Sequence, residues 1–161
     1  LVARALPAGA ALILRDYADP RRAARARALT GVCRSRDVLF LVGADAALAQ
    51  GCGADGVHLR ADQLQYPPAS EGLLVSVACH SAQELARAAG IGADAAFLSP
   101  VFATASHPGA HPLGAEQFLK LAAAAALPVL ALGGVDETNA ARLRGANVAG
   151  FGAIGAFAAR A

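Results

Sequence analysis

Seven short, uninterrupted apolar runs separated by stretches of helical character constrain this chain more than any other feature. They occupy residues 10–14, 38–42, 56–59, 73–78, 95–98, 128–132 and 150–154. Each is continuous rather than alternating, which is the pattern of parallel strands covered on both faces. Helical signals fill the gaps. Asp19-Pro20 predicts an N-cap followed by a first-turn proline, with the helix running to about Cys33. Asp45 opens a short helix that stops at Gly51. Ser81-Ala82-Gln83-Glu84 reads as a capping box for a helix ending near Gly90. Residues 114–126 predict a longer helix with Phe118, Leu121 and Ala122 on one face, and residues 136–144 a further one stopped by Gly145. Strand and helix in alternation predict one parallel α/β sheet.

Two architectures satisfy that alternation, an open doubly wound sheet and a closed (β/α)8 TIM barrel. No G-x-G-x-x-G follows the first strand; Gly51-Cys52-Gly53 follows a helix instead. The last two strands both end in glycines, Gly133-Gly134 and Gly155, where barrels commonly hold a phosphate. Both facts favour the barrel. Only seven strands are visible where a barrel needs eight, so the first strand is expected upstream of Leu1, and residues 1–161 are expected to be a single domain.

Composition removes several classes of function. The chain is 56% hydrophobic and 16% charged, so it will collapse and not stay disordered. A net charge of +2 is too small for a nucleic-acid footprint. No apolar run reaches the ~18 residues of a membrane helix. Cys33, Cys52 and Cys79 are odd in number and never spaced CxxC, which argues against zinc or a disulfide framework and for buried thiols in a reducing cytoplasm.

In a barrel, chemistry collects at the carboxyl ends of the strands. The glycine corners at Gly133-Gly134 and Gly155 let backbone N–H groups approach an anion with no Cβ in the way. Residues 101–109 form a polar loop carrying Thr104, Ser106 and His107, which could ligate an anion or cover a site. Arg15, at the first strand's end, suits a bidentate phosphate contact or a salt bridge to Asp45. His58 and His80 also fall at strand ends.

Together these segments resemble the thiamine phosphate synthase family, which includes the related thiazole tautomerases. The matching pieces are Gly53-Ala54-Asp55-Gly56-Val57-His58-Leu59, Cys79-His80-Ser81, Pro100 through Ser106, Leu113-Gly114, Pro128 through Val135, and Gly150 through Phe157. The resemblance implies a (β/α)8 barrel, a cytoplasmic location and a transferase of thiamine biosynthesis. Such an enzyme joins hydroxymethylpyrimidine diphosphate to thiazole phosphate and releases pyrophosphate, with help from Mg²⁺. It implies small phosphorylated substrates, no nucleic-acid or membrane partner, and leaves a homo-oligomer open.

Carried across residue by residue, Arg15 matches the diphosphate-binding arginine, and Thr104 and Ser106 match the loop hydroxyls. Gly134, Ile154 and Gly155 match the thiazole-phosphate cradle, with Gly155 where the family usually has Ser. Gly133 and His80 complete the expected substrate contacts, and His107 stands where the family has a loop lysine and would assist the leaving group. The departures cluster at the metal end. Tyr17 replaces a lysine, Ile13 a glutamine, Gly43-Ala44 an Asn-Asp pair and Gln63 a carboxylate, which leaves Asp62 as the neighbouring candidate for Mg²⁺. The tautomerase's histidine falls on Pro100. Two rivals stand beside the transferase. One is a non-catalytic or regulatory relative that binds a thiazole or thiamine phosphate without Mg-dependent chemistry. The other is a phosphate-handling isomerase using His80.

Overall fold

A computed structural model of the chain describes residues 2–104, 109 and 111–154. Its elements follow in the order α1 (Val2–Ala5), β1 (Ala11–Leu14), α2 (Arg22–Arg34), β2 (Leu39–Gly43), α3 (Ala46–Cys52), β3 (Gly56–Leu59), a 3₁₀ turn (Ala61–Leu64), β4 (Leu74–Cys79), α4 (Ala82–Gly90), β5 (Ala95–Leu98), α5 (Gly114–Ala124), β6 (Val129–Ala131), a second 3₁₀ turn (Ala140–Leu143) and β7 (Val148–Phe151). The strands lie in the order β1-β2-β3-β4-β5-β6-β7. Sequential parallel order, each strand returned by a helix or turn, is the topology of the TIM-barrel class expected from the sequence.

The chain divides into two compact units, one extending to Ser76 and one beginning at Val77, so β4 contributes residues to both. In the first unit β1 pairs with β2 from Ala11↔Leu39 to Leu14↔Val42, and β2 with β3 from Leu41↔Gly56 to Gly43↔His58. Phe40, Val42, Val57 and Leu59 are almost fully buried, together with Ala26 and Cys33 of α2 and Ala49 of α3. In the second unit β5 pairs with β6 and β6 with β7, around a core of Val77, Leu98, Val101, Phe118, Ala122 and Val129. Burying a side chain such as Phe40 or Phe118 contributes about 1.5–3 kcal/mol. β1 and β7, first and last in the order, are only partly covered, unlike β2 and β3.

Several elements differ from the sequence expectation for local reasons. The second helix starts at Arg22, not Pro20, because the Asp19 carboxylate accepts from the Arg21 N–H at 2.8 Å and closes a turn first. The third helix runs past Gly51 and ends on Gly53, whose φ of +69° gives it a left-handed cap. The Ser81 cap forms, its Oγ accepting from the Glu84 N–H at 3.2 Å; the Glu84 carboxylate, however, accepts from His80 N–H, one residue earlier than a capping box predicts. Residues 136–144 make only a 3₁₀ turn. Asp136 Oδ1 accepts from the N–H and hydroxyl of Thr138 and from Asn139 N–H, a local arrangement that competes with a helix. β7 begins at Val148 and ends at Phe151, since its register is set by β6, so Ile154 lies beyond the strand and is exposed.

Candidate functional site

In the first unit, the chain leaving β1 carries Arg15 and Tyr17, and the chain leaving β2 carries Gly43, Ala44 and Asp45. The Tyr17 ring packs over Gly43. A Cβ on residue 43 would stand 3.1 Å from Tyr17 Cε1 and Oη and 3.0 Å from the Leu14 carbonyl oxygen. Arg22, from the first turn of α2, fills the same corner. Its guanidinium donates to the Gly43 carbonyl, lies 3.4 Å from an Asp45 oxygen and sits 5.5 Å from the Tyr17 ring centre. Its Nε is buried without a hydrogen-bond partner among the described residues. The salt bridge to Asp45 that the sequence offered to Arg15 is therefore made by Arg22. Arg15 is exposed and forms no ion pair with a described residue, and its charge acts on His58.

Asp45 also caps α3, its second oxygen accepting from Leu48 N–H at 2.8 Å. Ala44 takes the left-handed conformation with φ +60°, and its carbonyl accepts from the Gln63 side-chain amide at 3.1 Å. The other end of that amide accepts from Arg60 N–H at 3.0 Å. Asp62 is held by Arg60 through two contacts, at 2.9 and 2.5 Å. That pairing lowers the Asp62 carboxyl and raises the Arg60 guanidinium from their ordinary values, although both groups are open to solvent. His58 is buried, and its Nδ1 lies 2.9 Å from Ser76 Oγ. Burial, aided by the Arg15 charge, pushes its imidazole down to about 4, so it is neutral near pH 7.

In the second unit, β6 runs into Gly133-Gly134, with φ of +92° and +64°. A Cβ on Gly134 would fall 2.4 Å from the Ala103 carbonyl oxygen, and one on Gly133 would fall 2.9 Å from Pro100 Cα. Only glycine fits either position. The Gly133 carbonyl accepts from Phe102 N–H at 2.9 Å and the Gly134 carbonyl from the Asn139 side chain at 2.9 Å. Among the described residues neither glycine N–H has an acceptor. Both carbonyls thus have donors while two successive N–H groups lack an acceptor among the described residues, a turn of the kind that can form an anion-binding nest.

β7 lies beside β6, with Gly152 N–H donating to the Ala131 carbonyl at 2.8 Å. The segment leading to Ile154 therefore leaves the same end of an adjacent strand. Gly155 itself, with Ser106 and His107, lies outside the described residues.

His80 follows β4, its Nδ1 2.9 Å from the Ser99 carbonyl and 3.3 Å from Ser99 Oγ. A carbonyl can only accept, so Nδ1 carries the proton and Nε2 is left as the basic nitrogen of the neutral ring. Thr104 follows Phe102-Ala103, the residues that abut Gly134. Burial pushes the Cys79 thiol up to about 12, so it is no nucleophile near neutrality. Cys33 is buried like Cys79, whereas Cys52, expected to be buried, is half-buried.

Three features of this arrangement escape sequence reasoning. Arg22 looks like any helical arginine until the fold sets it on Gly43. Asn139 braces the glycine corner from a turn expected to be helix. Gln63 reads as a lost carboxylate but proves to be a backbone bracket.

A family model described as thiamine monophosphate synthase matches residues 1–157. The chain belongs to the thiamine monophosphate synthase family. It is 36% identical to the thiamine-phosphate synthase of Chlorobium luteolum over 164 residues, an alignment covering 97% of this chain and 77% of that protein. It is 35% identical over 127 residues to the thiamine-phosphate synthase of Thioalkalivibrio sulfidiphilus, of which it spans only 60%. The thiamine phosphate pyrophosphorylase structure from Pyrococcus furiosus superposes with a TM-score of 0.80 at 28% identity, covering 96% of this chain and 78% of that one. A 2-keto-3-deoxy-6-phosphogluconate aldolase from Zymomonas mobilis shares the fold alone, at a TM-score of 0.57 and 16% identity. No helix among the described residues is long and apolar enough to cross a membrane.

Proposed function

We propose that this chain carries out the transfer that gives its family its name. It would join hydroxymethylpyrimidine diphosphate to thiazole phosphate and release pyrophosphate, working on small phosphorylated substrates in the cytoplasm. The observation that carries this reading is the Gly133-Gly134 corner, where no Cβ fits and two N–H groups have no acceptor among the described residues. A phosphate monoester is a natural ligand for such a nest. Thiazole phosphate would sit there with its phosphate on Gly133 and Gly134, alongside Ile154 and Gly155. Arg15 would hold the diphosphate, Thr104 and Ser106 would have the loop-hydroxyl roles that the resemblance gives them, and His80 would present Nε2 to a polar atom of a bound substrate.

The carbon–oxygen bond to the diphosphate breaks with its electron pair leaving on pyrophosphate, and the thiazole nitrogen donates the pair that forms the new C–N bond. Arg15 would stabilise the charge that builds on the leaving oxygens, and His107 has the leaving-group role that the resemblance gives it. The test is to mix the chain with both substrates and follow thiamine phosphate and pyrophosphate together. Equal yields of the two are expected. Tight binding of thiazole phosphate with neither product formed would favour the second reading, a relative that binds the phosphate without turnover. That reading draws on the arginine pairing of Asp62 and the missing donors at Gly43-Ala44.

A further inference from the structure

The family's enzymes use Mg²⁺, and the residues of this chain do not fit it. Magnesium asks for carboxylate oxygens in near-octahedral geometry. In the first unit the carboxylates that follow the strand ends are already committed to arginine. Asp16 and Asp19 both lie against Arg25, at 2.6 and 2.8 Å, Asp45 against Arg22, and Asp62 against Arg60. Gln63 spends both ends of its amide on backbone groups. Gly43 and Ala44 offer no side-chain donor, and the Tyr17 ring stands in the space a side chain at 43 would need. Among the described residues no three His, Cys, Asp or Glu side chains come together as a metal cluster.

The same corner carries fixed positive charge. The Arg22 guanidinium rests on the Gly43 carbonyl, with Tyr17 stacked against it. A divalent cation entering there would meet a guanidinium whose charge, among the described residues, Asp45 alone offsets. Arg15, by contrast, is exposed and has no carboxylate partner among the described residues, so its fork is available to an anion. Ala44 takes φ +60°, a backbone that Asn and Asp adopt more readily than Ala, at the position where the resemblance places a carboxylate.

We propose that the first unit holds a diphosphate-class anion through Arg15 without any divalent cation. Guanidinium charge then supplies the neutralisation that a metal would otherwise provide, at an exposed position where the planar fork matches two phosphate oxygens. This rests on reading the strand ends as the substrate face. Its test omits thiazole phosphate, so that failure here and failure of the transfer reaction are seen separately.

The experiment is calorimetric titration of inorganic pyrophosphate into the full chain, once with MgCl₂ and once with EDTA, and again with Arg15→Ala. Mn²⁺ alone is titrated in parallel and followed by electron paramagnetic resonance. The expected result is the same pyrophosphate affinity in both buffers, about tenfold weaker binding in Arg15→Ala, and no Mn²⁺ bound by the chain. Pyrophosphate that binds about tenfold tighter with magnesium, or only with it, overturns the proposal. So do saturable Mn²⁺ binding, an Arg15→Ala chain that binds as well as the parent, and the absence of pyrophosphate binding in either buffer.

Discussion

The Tyr17 ring and the missing side chain of Gly43 are complementary, because a Cβ at 43 would stand 3.1 Å from both the ring edge and its hydroxyl. A side chain at position 43 therefore has to displace the Tyr17 ring, whereas replacing Tyr17 alone opens space. Gly43→Asn is expected to cost about 1–3 kcal/mol as an overpacking change. Once Tyr17→Lys has removed the ring, the same substitution should cost less. Urea denaturation of the two single variants and the double variant measures the coupling. Strictly additive effects would show that the ring and the glycine tolerate each other by accident.

At the other glycine corner the expected response is loss of binding. Gly134→Ala forces a methyl toward the Ala103 carbonyl, and Gly134→Asp adds a negative charge. Thiazole phosphate should bind about tenfold weaker to the first and weaker still to the second, which is a loss of roughly 1.4 kcal/mol or more. Calorimetry decides it, and unchanged affinity would place the phosphate elsewhere.

Arg15→Ala should separate the two ligands. Its guanidinium belongs to the first unit and the glycine nest to the second. Thiazole phosphate should bind as before, while pyrophosphate binding falls. Equal losses would mean that both ligands depend on Arg15.

His58 gives the chain a defined acid sensitivity. Its imidazole is neutral when folded, with the proton affinity pushed down to about 4 by burial first and the Arg15 charge second. The unfolded chain, at an ordinary 6.5, takes up a proton earlier as pH falls. Protons bound to the unfolded state lower stability, so the contribution is complete above 6.5 and is lost progressively down to about 4. The loss is on the order of 3 kcal/mol. Melting curves across that window should show it, and His58→Gln should flatten the slope. An unchanged slope in the variant would assign the acid sensitivity to other groups.

Asn147 holds the end of α5 in place. Its side-chain amide reaches the carbonyls of Ala122, Ala125 and Leu127, at 3.1, 3.0 and 2.8 Å, from a backbone at φ +63°. Asn147→Ala removes all three contacts and leaves a left-handed alanine, at an expected cost of about 2–3 kcal/mol. Asn147→Gly should recover the backbone part only. Chemical denaturation of both variants separates the two contributions.

Much of the fold was legible in the chain. The residues 56–59 and 95–98 are strands with the bounds the apolar runs predict, and Ser81 caps its helix as its spacing with Glu84 suggests. Local chemistry misled where side chains compete for the same backbone. Asp136, Thr138 and Asn139 look like the start of a helix but close a turn, and Asp19 closes another before α2 begins. The last strand slipped toward its N-terminus because apolar residues 152–154 carry no information about the hydrogen-bond ladder offered by β6.

By itself, the sequence determined the parallel strand alternation, the glycines after the sixth strand and the absence of carboxylates at positions 43, 44 and 63, because each is a property of residue type along the chain. Tertiary structure alone decided what fills those positions. Arg22 and Gly43 are 21 residues apart, and Gln63 and Ala44 are 19 apart. A guanidinium or an amide finds its acceptor only after strands pair in register and bring distant backbone carbonyls within the ~3 Å reach of a hydrogen bond.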